Sequence, residues 1–192
     1  MKEEIHQAFP PMYEIIRQAT SAAGFTMASD PLTGSLLRTL ACSKPASHFL
    51  ELGTGTGLST AWILDGMDGL STLISIDNDE SFLQIARSNL GEDSRLKLVV
   101  ADGGEWIEAS GNLRFDFIFA DTWHGKYLLT DQTLSMLNPG GLYVIDDMSP
   151  QPNWPEGHEQ KVSQLLENLE QRKDLQITKM VWSTGIVIAV KK

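Results

Sequence analysis

Apolar positions along the chain fall into two alternating rhythms. Short runs of aliphatic and aromatic residues recur at His48–Leu52, Thr72–Ile76, Leu96–Val100, Phe115–Ala120 and Leu142–Ile145. Their length and composition predict buried strands. Between them the spacing changes to that of one helical face: a helix from Leu58, a second carrying Phe82, Ile85, Ala86 and Leu90 and closed by Gly91, a third carrying Val162, Leu165, Leu166 and Leu169. Two more helices precede the first strand. One opens on Pro11 and carries Met12, Ile15, Ile16 and Ala19, with Gly24 just past its end. The other starts at Asp30-Pro31 and runs to Cys42, with Pro45 marking its exit. Proline at the start and glycine after the end are the expected punctuation of helices. Strand–helix alternation of this kind predicts a parallel sheet covered by helices on both faces.

The end of the chain departs from that rhythm. Ile177–Trp182 and Ile186–Val190 both read as strands, separated only by Ser183-Thr184-Gly185. A parallel crossover needs roughly a dozen residues, so these two must form a hairpin. The predicted fold is therefore α/β: a seven-stranded, mostly parallel sheet with an antiparallel last strand, helices on both faces, and two extra N-terminal helices. At 192 residues the expectation is one domain, with a helical cap over 1–45 and the sheet over 46–192.

Composition narrows the partners. Apolar residues make up 42% and charged residues 21%, enough for a globular core. Fifteen Lys and Arg against twenty-five Asp and Glu give a net charge of −10, which repels a phosphate backbone and argues against nucleic acid. No apolar run is long enough to span a bilayer, and Met1-Lys2-Glu3-Glu4 does not start a signal peptide, so no membrane partner and a cytoplasmic location are expected. The single cysteine, Cys42, forbids an intrachain disulfide and reads as a small buried hydrophobe.

Candidate chemistry begins where the first strand ends, in Glu51-Leu52-Gly53-Thr54-Gly55-Thr56-Gly57. Glycines let the backbone turn tightly and let a ligand approach, and the helix behind them supplies oriented N–H groups. Asp77, followed by Asn78, closes the second strand, where an acidic side chain can take both hydroxyls of a ribose. Neither Gly53 nor Gly55 begins a G-x-G-x-x-G dinucleotide fingerprint, because Leu58 and Thr60 fall where its last glycine is needed. Asp102-Gly103 follows the third strand. Asp121-Thr122-Trp123-His124-Gly125-Lys126 follows the fourth, and Asp146-Asp147 the fifth. Like charges about 4 Å apart repel by about 4 kcal/mol at an effective dielectric near 20. If Asp121, Asp146 and Asp147 converge, they need a counter-charge: a divalent cation such as Mg²⁺, or a positively charged cofactor.

The E-x-G-x-G-x-G turn resembles motif I of class I S-adenosylmethionine-dependent methyltransferases, whose Rossmann-like sheet also has seven strands with the last antiparallel. Met27, Gly34, the Glu51–Gly57 turn, Asp121 with Trp123 and Tyr127, and Pro139-Gly140-Gly141 before Asp146-Asp147 resemble the catechol and caffeoyl-coenzyme A O-methyltransferase group, from Met27 to Lys192. The resemblance implies S-adenosylmethionine as cofactor. Met27 would lie at its methyl-donating end. Glu51, Gly53, Thr54, Gly55, Gly57, Asp77, Asn78, Asp102, Gly103, Asp121 and Trp123 would stand around the rest. It also implies a divalent metal on Asp121, Asp146 and Asp147. Two departures stand out. Asp147 replaces an asparagine, and the catalytic lysine of the catechol enzymes falls on His124, leaving His124 and Lys126 as candidate bases. The (N/D)-P-P-(Y/F) element of amino-methylating enzymes is absent after the fourth strand, which again argues against nucleic acid. The expected reaction is methyl transfer to an oxygen of a small-molecule acceptor. Metal-free nitrogen or carboxylate methylation, or a non-catalytic cofactor-binding module, stands as the alternative. The proline-stiffened segment Ser149–Gly157 reads as a substrate rim with Trp154 as a stacking face or as a connector, Trp182 as core or interface, and the N-terminal helices as a candidate homodimer face.

Overall fold

The computed structural model describes residues 4–5, 7–151 and 154–192. Its elements run α1 (Tyr13–Ala22), α2 (Pro31–Cys42), β1 (His48–Leu52), α3 (Leu58–Gly66), β2 (Thr72–Asp77), α4 (Glu80–Leu90), β3 (Leu96–Val100), α5 (Gly103–Ala109), β4 (Phe115–Ala120), α6 (Thr130–Ser135), β5 (Leu137–Ile145), α7 (His158–Glu170), β6 (Leu175–Met180) and β7 (Ile186–Lys191). The seven strands lie in the order β3-β2-β1-β4-β5-β7-β6. The pairs β1·β2, β1·β4, β2·β3 and β4·β5 are parallel. β7 runs antiparallel to both β5 and β6, as the short terminal connection requires. The strand order reverses at β1, so the carboxyl ends of β1 and β4 flank the crevice where open α/β sheets bind ligands.

The alternation within β4 shows why the sheet is covered twice. Phe117 and Phe119 face one side, against Ile16 of α1, Leu37 of α2 and Trp62 and Ile63 of α3. Ile118 and Ala120 face the other, against Ile107 of α5, Leu134 of α6 and Val162 and Leu165 of α7. Successive side chains in a strand point to opposite faces, and a fully buried Phe or Ile contributes about 1.5–3 kcal/mol. The two N-terminal helices thus complete one of these layers.

Several boundaries differ from the sequence expectation for identifiable reasons. α1 begins at Tyr13 rather than Pro11, because the first turn closes with the Tyr13 N–H donating to the Pro10 carbonyl. β5 starts at Leu137, pairing with Phe115 across a register shift that precedes Leu142. β6 ends at Met180, two positions early, because pairing with β7 stops at Met180–Ile186 and leaves Val181 exposed in the connection. Cys42 is exposed, not buried: as the last residue of α2 it faces outward while Ala41 beside it takes the core position.

Gly34 explains how α2 lies so close to α3. A Cβ there would stand 2.2 Å from Cδ1 of the buried Trp62 indole. Gly34→Ala is expected to cost about 1–3 kcal/mol by overpacking. The check is urea unfolding, where the midpoint should fall at unchanged slope.

Candidate active site

The glycine turn after β1 is built on left-handed backbone: φ is +100° at Gly53, +52° at Gly55 and +95° at Gly57. Space is as restrictive as conformation. A Cβ on Gly53 would meet the Asp121 carbonyl oxygen at 3.0 Å, and one on Gly55 would meet the Phe25 ring at 2.9 Å. The Gly55 N–H donates to Asp77 at 2.7 Å and the Asp79 N–H donates to its other carboxylate oxygen at 2.9 Å, which fixes Asp77 at the rim.

Glu51 lies beneath this turn with no exposure at all. It accepts hydroxyl hydrogen bonds from Ser59 and Thr60 of α3, each at 2.6 Å, and from Ser75 of β2. Its role is therefore to tie the turn to its two neighbours. Burial pushes its pKa up to about 7, against the lowering effect of those hydroxyls.

Above the turn opens a cleft of about 610 Å³. Met27, Gly53, Thr54, Gly55, Asp77, Asn78, Asp121, Trp123, Lys126, Asp146 and Asp147 line it. The link from α1 to α2 crosses it, bringing Phe25 onto Phe82 at 4.6 Å between ring centroids and Ser29 Oγ within 2.9 Å of Asp121 Oδ2. Five sequence candidates lie elsewhere, Glu51 among them, buried beneath the turn. Gly57 sits under the turn, against Ala86. Asp102 caps α5 by accepting from the N–H groups of Gly104 and Glu105. Gly103 and His124 pack beside it, with His124 Nδ1 3.9 Å from Asp102 Oδ2, outside the residues lining the cleft.

The three aspartates share the cleft but are individually engaged. Asp146 is almost fully buried, and its Oδ1 accepts from the Thr184 hydroxyl and from the Asp147 N–H at 2.7 Å. Asp147, in left-handed backbone at φ +57°, turns its carboxylate to Trp154, whose indole N–H lies 2.9 Å from both oxygens. Loss of water raises the pKa values of both Asp121 and Asp146, and the charge of Asp146 raises that of Asp121 further. A hard divalent cation needs converging carboxylate and water oxygens. This donor set does not fit one: among the described residues no three of His, Cys, Asp and Glu are grouped to hold a metal.

The counter-charge in the structure is Lys126. Its side chain is 3% exposed, and the ammonium donates to the main-chain oxygen of Asp146 at 2.6 Å and, more weakly, to that of Asp147 at 3.4 Å. Burial lowers its pKa, while Asp121, Asp147 and Asp146, in that order, raise it. Gly125 sets the approach: at φ +85° its Cα lies where a Cβ would be 2.2 Å from Leu52 of β1. The Tyr143 hydroxyl donates to the Gly125 carbonyl, and Thr130 Oγ1 donates to that of Lys126 at 2.7 Å.

The wall beyond Lys126 brings Tyr127 and Trp154, both singled out in the sequence, against His158, which sequence reasoning passed over. Tyr127 OH and His158 Nε2 are 3.1 Å apart, and the Trp154 ring lies 4.5 Å from the imidazole. Burial lowers the pKa of His158, and its Nδ1 is buried without a partner. A histidine opening a helix straight after a proline-rich segment was the available signal. Pro152 and Asn153 of that segment lie outside the described residues.

With this geometry established, the relatives become informative. A family model described as a methyltransferase domain matches residues 50–148, which is 99 of the 192. The chain belongs to that family. A Mycobacterium avium protein provisionally named an O-methyltransferase is 28% identical over 122 residues, which cover 60% of this chain and 54% of that protein. The chain thus spans about half the length of that curated relative. The solved O-methyltransferase from Bacillus cereus in complex with S-adenosylhomocysteine superposes with a TM-score of 0.85 at 21% identity, covering 98% of this chain and 94% of the other. The O-methyltransferase of tomaymycin synthesis from Streptomyces achromogenes, in complex with S-adenosylmethionine, gives 0.82 at 22%, covering 98% and 92%. These likenesses place the fold; the site stands on its own geometry. No helix among the described residues is long and apolar enough to cross a membrane.

Glu51 gives the first test of that geometry. Its folded pKa of about 7 exceeds the ordinary 4.5, so the folded protein holds a proton that the unfolded chain releases across that window. Stability from this group is full below about 4.5 and is lost as pH rises towards 7. Urea unfolding should therefore show wild type losing about 3 kcal/mol relative to Glu51→Gln between those two pH values.

Proposed function

We propose that this chain binds S-adenosylmethionine in the cleft and transfers its methyl group to an oxygen of a small-molecule acceptor, with a catechol- or phenol-like hydroxyl as the acceptor class. The observation that carries the reading is the placement of Asp77, the glycine turn and the Asp121–Asp146 pair along a single cleft at the carboxyl ends of the parallel strands. Asp77 is fixed by two backbone N–H groups on the rim and retains lone pairs for ribose hydroxyls. The turn brings backbone close to a ligand without side chains in between. The acidic wall suits a cofactor whose sulfonium and amino group outweigh its carboxylate by one positive charge.

Bound S-adenosylmethionine would supply the electrophilic methyl: an oxygen–carbon bond would form as the carbon–sulfur bond breaks, the sulfonium would become a neutral sulfide, and the acceptor's hydroxyl proton would leave to solvent. The protein's part is alignment of the acceptor and exclusion of water, the main sources of acceleration for such a displacement. Trp123, Tyr127 and Trp154 offer flat faces to an aromatic acceptor. Of the two candidate bases, Lys126 lines the cleft and His124 does not, so Lys126 is the residue assigned to the acceptor oxygen.

Calorimetric titration with S-adenosylhomocysteine tests the binding half of this reading. Asp77→Ala should weaken binding between about tenfold and a hundredfold, the worth of hydrogen bonds to a charged group. An unchanged affinity would remove Asp77 from the cofactor site. Transfer of labelled methyl groups to a panel of phenols and catechols tests the other half. Tight binding with no transfer to any acceptor would make the chain a cofactor-binding module.

A further inference from the structure

Tyr127 and His158 meet on the wall beyond Lys126, and the direction of the bond between them decides what the cleft offers an acceptor. The Tyr127 hydroxyl oxygen and His158 Nε2 are 3.1 Å apart, with the rings edge to face at 5.3 Å between centroids. Both side chains line the cleft. His158 is 7% exposed, and its Nδ1 is buried with no hydrogen-bond partner among the described residues. A neutral imidazole carries one N–H and one lone pair. A proton on Nδ1 would orphan a buried donor, which folded proteins tolerate less than an unfilled lone pair. Asp147 Oδ2, 3.9 Å from Nε2, draws the proton to that nitrogen as well. Nε2 therefore donates and the Tyr127 oxygen accepts; a protonated ring would give the same direction. Among the described residues the hydroxyl has no other partner, so its own hydrogen is left for the cleft.

We propose that the Tyr127 hydroxyl donates to a second oxygen of the acceptor, beside the one that receives the methyl group, and that His158 positions it. The inference rests on reading the cleft as a methyl-transfer site and names what the acceptor must carry. Lys126 Nζ, assigned to the reacting oxygen, stands 5.0 Å from the Tyr127 ring centroid, close enough for one substituted ring to reach both. Trp123 lies 5.9 Å from Tyr127 and Trp154 4.5 Å from the imidazole, between ring centroids, so flat faces flank the pair. The backbone fixes both partners: the Tyr127 N–H donates to the Trp123 carbonyl at 2.9 Å and the His158 N–H to that of Pro155 at 3.1 Å. A hydroxyl whose oxygen is already held has lost much of its freedom before a ligand arrives. Such a donor separates ligands that accept a hydrogen bond from isosteres that do not. The acceptor class follows: a phenol whose ring bears a second oxygen with a lone pair, as a methoxy, carbonyl or hydroxyl group. The discrimination depends on no ionised side chain.

Two measurements test this. The first is a long-range proton–nitrogen NMR correlation of the histidine rings, with His158 assigned by its absence from His158→Gln. Wild type should show a proton on Nε2; a proton on Nδ1 alone would overturn the proposal. The second is methyl-transfer kinetics with the three methoxyphenol isomers against the matching ethylphenols, which keep the shape and lack the oxygen. Wild type should favour at least one methoxyphenol over its ethyl counterpart by about three- to tenfold in kcat/KM, the worth of one neutral hydrogen bond. Tyr127→Phe should abolish that preference through KM, as loss of ground-state binding does. His158→Leu should weaken it, and His158→Gln, whose amide supplies an N–H, should keep it. S-Adenosylhomocysteine affinity reports the folding of every variant; if Tyr127→Phe does not fold, the nitrogen spectrum and the wild-type preference still decide. No preference at any ring position, or a preference that survives in Tyr127→Phe, would overturn the proposal. Absence of transfer to all six phenols by protein that binds S-adenosylhomocysteine would instead defeat the methyl-transfer reading, and the acceptor role of Tyr127 with it.

Discussion

The molecule is organised around a charge that its own fold must balance. Parallel strands end together, and this sheet ends in Glu51, Asp77, Asp121 and Asp146 on four strands or the residues just beyond them. Taking carboxylates out of water costs several kcal/mol each unless they are paired or hydrogen-bonded. The structure solves this in three ways. Glu51 is neutralised in part by its raised pKa and by three hydroxyl donors. Asp77 stays at the rim and takes backbone N–H groups. Asp121 and Asp146 line the cleft with Lys126, whose ammonium donates to the Asp146 main-chain oxygen and whose backbone is held by a glycine and two hydroxyl groups. The remaining deficit of positive charge is what the proposed cationic cofactor would meet.

Much of the fold could be read from residue spacing, because strand and helix periods are local and the terminal hairpin is forced by a connection too short for a crossover. The glycine turn and Asp77 were readable for the same reason: each sits at a strand end, and strand ends in a parallel sheet share an edge. The positions that escaped are those decided by distant contacts. Asp102 is indistinguishable in sequence from a cleft residue, yet two N–H groups of α5 make it a helix cap. His124 and Lys126 are two residues apart, and only the left-handed Gly125 between them decides which enters the cleft. His158 reaches the site from α7 through packing with Tyr127 and Trp154, a relation between three separated stretches of chain.

The same distinction applies to the aspartates. A motif places Asp121, Asp146 and Asp147 at the ends of neighbouring strands, but their side-chain directions depend on Ser29, Thr184 and Trp154, which lie 92, 38 and 7 residues away along the chain. Family membership therefore fixes the scaffold and leaves the chemistry of the acceptor end to be read from these contacts.

The most direct test of the account is a crystal structure of the protein with S-adenosylhomocysteine. It should place the ribose hydroxyls within hydrogen-bond distance of Asp77, the chain of the nucleoside along Gly53–Gly55, and the sulfur on the side of the cleft that holds Asp121 and Lys126. A nucleoside bound elsewhere, or bound in the cleft with its sulfur turned away from that wall, would contradict it.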